Sequence, residues 1–231
     1  MHNHVDLMVI SPHADDSEFG AAGTVASWTR NGKTAVYVIC TDGDKGTTDR
    51  NMDPILFIEK RKKEQEKAAA LLGVCAVVFL GYPDQGLEDN DDFRKKIVSV
   101  IRKFRPHTIM TTDPYRKYLW HRDHRITGQV VMDACYPYAR DHLSYPDLLE
   151  QGLEPHKVRD LLFWGAEDIN YRVDISETFE QKIAALYCHE SQMKEMKHFN
   201  PEEWCRQNAR KMAAKEPFEL AEGFHRIVLP G

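Results

Sequence analysis

The stretch Ser11-Pro12-His13-Ala14-Asp15-Asp16-Ser17-Glu18 places an imidazole beside two acids, directly after the apolar run Val5–Ser11. His13 and Asp16 are three residues apart, a workable spacing in a turn for two ligands of one metal ion. Asp15 between them projects elsewhere and is free to act as a base. A simpler account has Asp16 or Ser17 capping a helix that follows, with the nearby carboxylates favoured by its dipole. That account does not explain why a histidine sits beside two acids at the end of a buried strand. A second stretch, Trp120-His121-Arg122-Asp123-His124-Arg125, sets two histidines around an acid. If His124 joins His13 and Asp16, two histidines and a carboxylate surround an open fourth position. That is the arrangement of a catalytic zinc, not of a closed structural one. His121 then stands beside the metal, and Asp123 is available to orient a ring.

These stretches meet only if the elements between them bring them to one edge. Apolar runs of strand length alternate with segments of helical period. Val5–Ser11, Lys33–Thr41, Val74–Leu80 and His107–Thr112 read as strands. Phe19–Asn31, Pro54–Leu72 and Asp91–Phe104 read as helices, with Gly32 and Pro106 as stops and Pro54 in a first turn. After Gly128 a helix is expected to about Arg140. Leu161–Gly165 and Tyr171–Ile175 follow as strands, and Ser176 as the cap of a helix reaching His189. This order predicts an α/β fold: a Rossmann-like, doubly wound, mostly parallel sheet flanked by helices. Such sheets place their sites beyond the carboxyl ends of the strands, which selects Ser11–Phe19, Thr41–Asp53 and Thr112–Arg125. The second of these, with Asp42-Gly43-Asp44-Lys45-Gly46-Thr47-Thr48, lacks the ending of a P-loop and the acid order of an EF-hand. It reads as a flexible wall of the pocket. No Gly-x-Gly-x-x-Gly follows the first strand, so a dinucleotide site is not indicated.

Composition bounds the remaining possibilities. The chain has 231 residues, 42% hydrophobic and 29% charged, the balance of an ordinary soluble globular protein. At this size about 70% of the unfolded surface can be buried. One domain over 1–231 is the economical reading, since no linker, repeat or low-complexity tract interrupts it. No run approaches the ~18–20 apolar residues of a membrane span. Met1-His2-Asn3-His4-Val5 lacks the basic and apolar regions of a signal peptide, so a cytoplasmic protein is expected. A net charge of −5, from 31 basic against 36 acidic residues, argues against a nucleic-acid partner. The five cysteines form no Cys-x-x-Cys pair, and Cys40 and Cys75, in apolar runs, are expected in the core.

His13-Ala14-Asp15-Asp16 with Gly20 and Gly23-Thr24, together with His121-x-Asp123-His124, resembles the LmbE-like (PIG-L) zinc N-deacetylases. The resemblance covers nearly the whole chain. It includes Thr41-Asp42-Gly43, Arg61-x-x-Glu64, Pro83-Asp84-x-x-Leu87, His189-x-Ser191-Gln192 and Ala221-Glu222-Gly223-Phe224. The run TDGDKGTTD, with a tyrosine-containing insert before HRDHR, looks nearest the diacetylchitobiose and bacillithiol-pathway deacetylase branches. Ala14 and Arg122 depart from the pattern, where proline is common at both.

The resemblance implies zinc on His13, Asp16 and His124, with Asp15 as general base. It makes His121 the residue that polarises the carbonyl or protonates the leaving group, with Asp123 behind it. Arg61 and Asp84 match positions associated with holding the sugar, and Arg122 lies at the pocket rim. On residues alone, Arg61 reads equally as an exposed helix ion pair with Glu64, and Asp84 as a turn residue. Ser191-Gln192 would support the site from behind. The implied substrate is a small-molecule amino sugar, an N-acetylglucosamine unit free or as a glycoside, and the implied assembly a homo-oligomer, trimer or hexamer. Arg116, Lys117, Arg122 and Arg125 around the second histidine stretch form either a solvated rim or a selector for an anionic aglycone such as malate or phosphate. Two other readings stay open: a zinc amidase acting on larger thiol-conjugate amides, and a metal- or sugar-binding module without turnover. Asp15 and His121 argue against the last, because ligands alone would suffice for binding.

Overall fold

The computed structural model describes residues 4–118, 120–196 and 198–231. Leu7–Ser11 (β1) is buried at every position because both faces of its sheet are covered. Met8 and Ile10 enter one core with Phe93, Ile97, Val130 and Val131, while Leu7 and Val9 enter another with Ala21, Val25, Ala68 and Leu72. That two-sided burial is why the strand reads as a continuous apolar run rather than an alternating one.

Asp16–Arg30 (α1), Ala35–Thr41 (β2), Pro54–Leu71 (α2), Ala76–Tyr82 (β3), Asp91–Phe104 (α3) and Thr108–Thr112 (β4) follow in alternation. Arg122–Cys135 (α4), Pro146–Glu150 (α5), Asp160–Trp164 (β5) and Tyr171–Asp174 (β6) come next. Phe179–Leu186 (α6), Glu190–Glu195 (α7), Pro201–Ala213 (α8) and Ala221–Val228 (β7) complete the described chain. The seven strands form one sheet in the order β3-β2-β1-β4-β5-β7-β6. The pairs β1–β2, β1–β4, β2–β3 and β4–β5 are parallel, with Leu7 opposite both Ala35 and Thr108. β7 runs antiparallel between β5 and β6. The chain winds outward from β1 in both directions, so the connections leaving β1 and β4 part to opposite faces. A crevice opens between them at the carboxyl edge.

The α/β architecture is as the sequence predicts, and the differences lie at element ends. α1 starts at Asp16, not Phe19, because Asp15 turns the chain in left-handed geometry (φ 90°) and its carbonyl begins the helical bonding. α4 starts at Arg122 and ends at Cys135, where a helix from Gly128 to Arg140 was expected, so Asp123 and His124 lie in a first helical turn. Pro137 stops that helix, leaving a short turn at Tyr138–Arg140. Ser176 is not a cap. Its amide and hydroxyl both donate to Asp174, and α6 begins after Thr178. Cys40 is in the core, whereas Cys75 is exposed just ahead of β3, an edge strand.

α8 and β7 were not anticipated. Asn200-Pro201-Glu202-Glu203 carried the start signal for α8, since the Asn200 side chain accepts from the Glu203 amide. Among the described residues no helix is long and apolar enough to cross a membrane. Met1, His2 and Asn3, on which the reading of the amino terminus rests, lie outside the described residues.

α1 packs so closely on β5 that a Cβ at Gly20 would fall 2.6 Å from the Trp164 ring. Helix propensity favours alanine over glycine by about 1 kcal/mol. Overpacking costs about 1–3 kcal/mol, and the indole must shift to admit the methyl group. Gly20→Ala is therefore expected to lower stability by up to about 2 kcal/mol, read from a urea midpoint shifted down at unchanged slope.

Candidate metal and active site

The site is built where two helix N-termini meet the ends of β1 and β4. Asp15 caps α1 with φ 90° and ψ −26°, and its carbonyl accepts from the Glu18 and Phe19 amides at 3.0 and 3.1 Å. Such geometry in a non-glycine residue costs about 1–3 kcal/mol and persists only where surrounding contacts enforce it. It turns the Asp15 and Asp16 side chains to different sides. His121 caps α4, its Nδ1 accepting the Asp123 amide at 3.3 Å. Acidic residues in both first turns, Asp16 and Glu18 in α1 and Asp123 in α4, suit the positive ends of these helices.

The two stretches converge on His13. Its Nδ1 lies 3.1 Å from Asp16 Oδ2, and the other Asp16 oxygen lies 3.3 Å from His124 Nε2. One carboxylate thus bridges two imidazoles that follow the carboxyl ends of two neighbouring strands. On the far side of the ring, His13 Nε2 faces Asp123 at 3.1 Å and Asp84 at 3.2 Å. The ring centroids of His13, His121 and His124 stand 4.6 to 5.3 Å apart. Donor atoms of His13, His121 and His124, and those of His13, Asp84, His121 and Asp123, each gather within 4.8 Å of one another.

The electrostatics follow from burial and crowding. Burial alone would lower the pKa of His13, but the carboxylates of Asp123, Asp16 and Asp84 outweigh it and hold that pKa well above the usual range. Burial and neighbouring cations push His124 down, with only Asp16 and Asp123 opposing. Asp16 is held far below the ordinary carboxylate range against its own burial by His124 and His13. Burial raises Asp15 to about 6, although the Arg61 guanidinium pulls it down.

Asp123 serves His13 rather than His121. Its side chain accepts from His13 and from the Gln85 and Leu87 amides at 2.7 and 3.3 Å, while only its backbone touches the His121 ring. Asp84 does stand in a turn, closed by the Gly86 amide on the Pro83 carbonyl, but it is nearly buried and a member of the cluster. Arg61 is neither exposed nor paired with Glu64. Its Nη1 donates to the Gly43 carbonyl at 3.0 Å, and its Nη2 donates to the Ala14 carbonyl at 2.7 Å and lies 3.6 Å from Asp15. Glu64 turns instead to the Ser191 amide and hydroxyl at 2.9 and 2.6 Å.

The β2–α2 loop is tied down rather than loose. A Cβ at Gly43 would fall 2.1 Å from the Arg61 guanidinium, so only glycine fits there. The Gly46 carbonyl accepts from Gln192, and Lys45 reaches the Asp84 carbonyl.

A family model described as "PIG-L: GlcNAc-PI de-N-acetylase" matches residues 8–135, which include all of these histidines and aspartates. This chain belongs to the PIG-L family. It is 36% identical over 189 residues to the diacetylchitobiose deacetylase of Thermococcus kodakarensis, covering 82% of this chain and 70% of the relative. A probable N-acetyl-alpha-D-glucosaminyl L-malate deacetylase 2 of Bacillus cereus is 30% identical over 204 residues, covering 85% of this chain and 86% of the relative. Among solved structures, N,N'-diacetylchitobiose deacetylase from Pyrococcus horikoshii superposes with a TM-score of 0.90 at 30% identity. That match covers 96% of this chain and 84% of the other.

In this PIG-L chain a cavity of about 480 Å³ opens beside Asp16 and His124, walled by Phe19, Trp164, Trp204 and Met212. Arg116 lines it, whereas Arg61, Asp84 and Arg122 do not. Arg122 is an exposed residue at the start of α4, and Arg125 donates to the Trp120 carbonyl. At the cavity's inner wall, buried Lys182 and Glu222 pair at 2.6 Å, and Glu222 also accepts the Gly23 and Thr24 amides. Trp164, Trp204 and Lys182 escaped sequence reasoning because they come from β5, α8 and α6, far along the chain. Only Glu222 had a signal, inside the Ala-Glu-Gly-Phe motif.

Because Arg61 lowers the Asp15 pKa against its burial, Arg61→Met is expected to raise that pKa further above 6. A carboxyl ¹³C titration of the metal-free protein checks the direction.

Proposed function

We propose that this chain is a zinc-dependent N-deacetylase that hydrolyses the acetamide of an N-acetylglucosamine-type sugar or glycoside to acetate and a free amine. The observation that carries the reading is the bridge of Asp16 between His13 and His124, with Asp15 one residue away on a different side. The two relatives and the solved structure named above are deacetylases by name, which supports the same reaction class.

The donor set suits a divalent cation that takes both nitrogen and oxygen ligands. Asp16 sets one oxygen toward each of two imidazole nitrogens, His13 Nδ1 at 3.1 Å and His124 Nε2 at 3.3 Å, so nitrogen and oxygen donors already face one another. His13, Asp16 and His124 would hold the ion. With the ion bound, His13 would keep its proton on Nε2, donating to Asp123, and Nδ1, the atom that faces Asp16, would be the ligand atom. Bound there, zinc supplies a Lewis acid and lowers the pKa of water from 15.7 to about 7.

Asp15 takes the proton of the attacking water and returns it to the amide nitrogen as the carbon–nitrogen bond breaks. Burial, which raises the Asp15 pKa in the metal-free protein, makes it the better proton acceptor. His121 Nδ1 is occupied as the acceptor of the Asp123 amide, which leaves the ring proton on Nε2. From there it donates to the oxyanion that develops on the acetyl carbonyl. Arg61 and Asp84 act in this reading on Asp15 and His13, from beneath the site. Arg116 and Arg122 are left to meet the aglycone.

Acetate release from N-acetylglucosamine and diacetylchitobiose, with and without a chelator and added zinc, tests the reading. Release is expected to stop with the chelator and return with zinc. His13→Ala and His124→Ala should lose bound metal by elemental analysis, whereas Asp15→Asn should keep it and lose about 10²–10⁴-fold in kcat. Turnover indifferent to chelation, or wild-type turnover in Asp15→Asn, would overturn it. No release by a chain holding one zinc would move the reaction to larger amides such as thiol conjugates.

A further inference from the structure

Behind Asp15, on the side away from the cavity, lies a buried polar chain that the proposed chemistry does not use. The Asp15 backbone N–H donates to Gln65 Oε1 at 3.2 Å. Gln65 Nε2 donates to Glu18 Oε1 at 3.0 Å, and the other Glu18 oxygen lies 3.2 Å from His189 Nε2. Gln65, Glu18 and His189 are all fully buried, and none of them lines the cavity. We propose that Gln65, oriented by its hydrogen bond to Glu18, is a positioning residue that holds Asp15 in its left-handed conformation and so aims its carboxylate. This rests on the reading of Asp15 as the general base.

The argument is one of donors and acceptors. Asp15 needs an acceptor for its N–H, because a left-handed residue at the mouth of α1 has no helical carbonyl behind it. Glu18 Oε1, fully buried, needs a donor. A side chain between them must present an acceptor at one end and a donor at the other, and the Gln65 amide does both. Glutamate at this position would set two carboxylates together, and methionine would leave both partners unpaired in a dry interior. The amide cannot flip, since a reversed group would point oxygen at Glu18 and N–H at N–H.

The position of Gln65 on α2 strengthens the inference. It lies one helical turn from Arg61, whose guanidinium reaches the Ala14 carbonyl and the Asp15 carboxylate. One face of α2 thus grips Asp15 at both ends, the backbone through Gln65 and the side chain through Arg61. Arg61 bears on charge as well as position, whereas Gln65 bears on position alone. Without the Gln65 anchor the φ of Asp15 is free to relax toward the right-handed region, and the carboxylate turns away from the reacting water. A displacement of about 1 Å at a reacting group costs on the order of 100-fold.

The experiment is a double-mutant cycle on zinc-loaded protein, with acetate release from diacetylchitobiose as readout and bound zinc and thermal melting measured on the same samples. Gln65→Met is expected to lower kcat about 10- to 100-fold, with KM and zinc content unchanged. In an Asp15→Asn background the same substitution should cause no further loss, because the group it aims is already gone. An equal fractional loss in both backgrounds, a loss confined to KM, or a loss that tracks zinc content would overturn the inference. Gln65→Asn, which keeps the amide but draws it back by one methylene, guards against failure to fold. It is expected to lose kcat in the same way, and wild-type kcat in it would also overturn the proposal. Wild-type turnover in Asp15→Asn alone would instead sink the general-base reading, so the two failures are distinguishable.

Discussion

A buried imidazole in contact with three carboxylates is the constraint around which this molecule is arranged. His13 touches Asp16, Asp84 and Asp123, and all four side chains are largely withdrawn from water. Burying that much negative charge is costly unless fixed donors and a cation compensate it. The fold supplies the donors from its backbone. Asp123 takes the Gln85 and Leu87 amides, Asp16 takes the His13 amide at 2.9 Å, and the N-termini of α1 and α4 add their positive ends. What the fold does not neutralise is a local preference for a cation beside His13. That preference is what a catalytic metal site requires.

The architecture makes such a cluster possible at low conformational cost. In a sheet whose winding reverses at β1 and β4, the loops leaving those strands diverge, and the space between them needs no special cavity in the core. Both loops end in helices, so Asp15, Asp16, His121, Asp123 and His124 sit on a cap or in a first turn, while His13 comes from the loop after β1 and Asp84 from the loop after β3. Rigid mounting has its own cost, seen in the left-handed backbone of Asp15. The opposing contacts come from α2 through Arg61 and Gln65, and from α7 through the Ser191–Glu64 bond and the Gln192 hold on the β2–α2 loop.

Much of this was legible because it is local. Six of the seven strands and the long helices α2 and α3 follow from apolar runs, Pro54 and Pro106, and the parallel order follows from their alternation. The gathering of His13, Asp15 and Asp16 is a matter of adjacent residues. The start of α4 was not legible, because Arg122, Asp123 and His124 carry charge where a helix was sought by apolar period. Yet the acid in that first turn suits the helix dipole, and His121 is its cap. Cys75 was misplaced because an apolar run does not distinguish a central strand from an edge.

The sequence by itself determined the fold class, the two strand ends that carry chemistry and the residue types brought there. All of these rest on periodicity and near-neighbour spacing. Only the tertiary structure decided which carboxylate serves which ring. Asp123 and His13 are 110 residues apart, and Asp84 reaches the same ring nitrogen from a third loop. It also decided that Arg61 turns inward to Asp15 while Glu64, on the same helix, turns to Ser191. The physical reason is the same in each case. A buried polar group must find its partner wherever the packing places one, and packing between distant segments leaves no mark in local spacing.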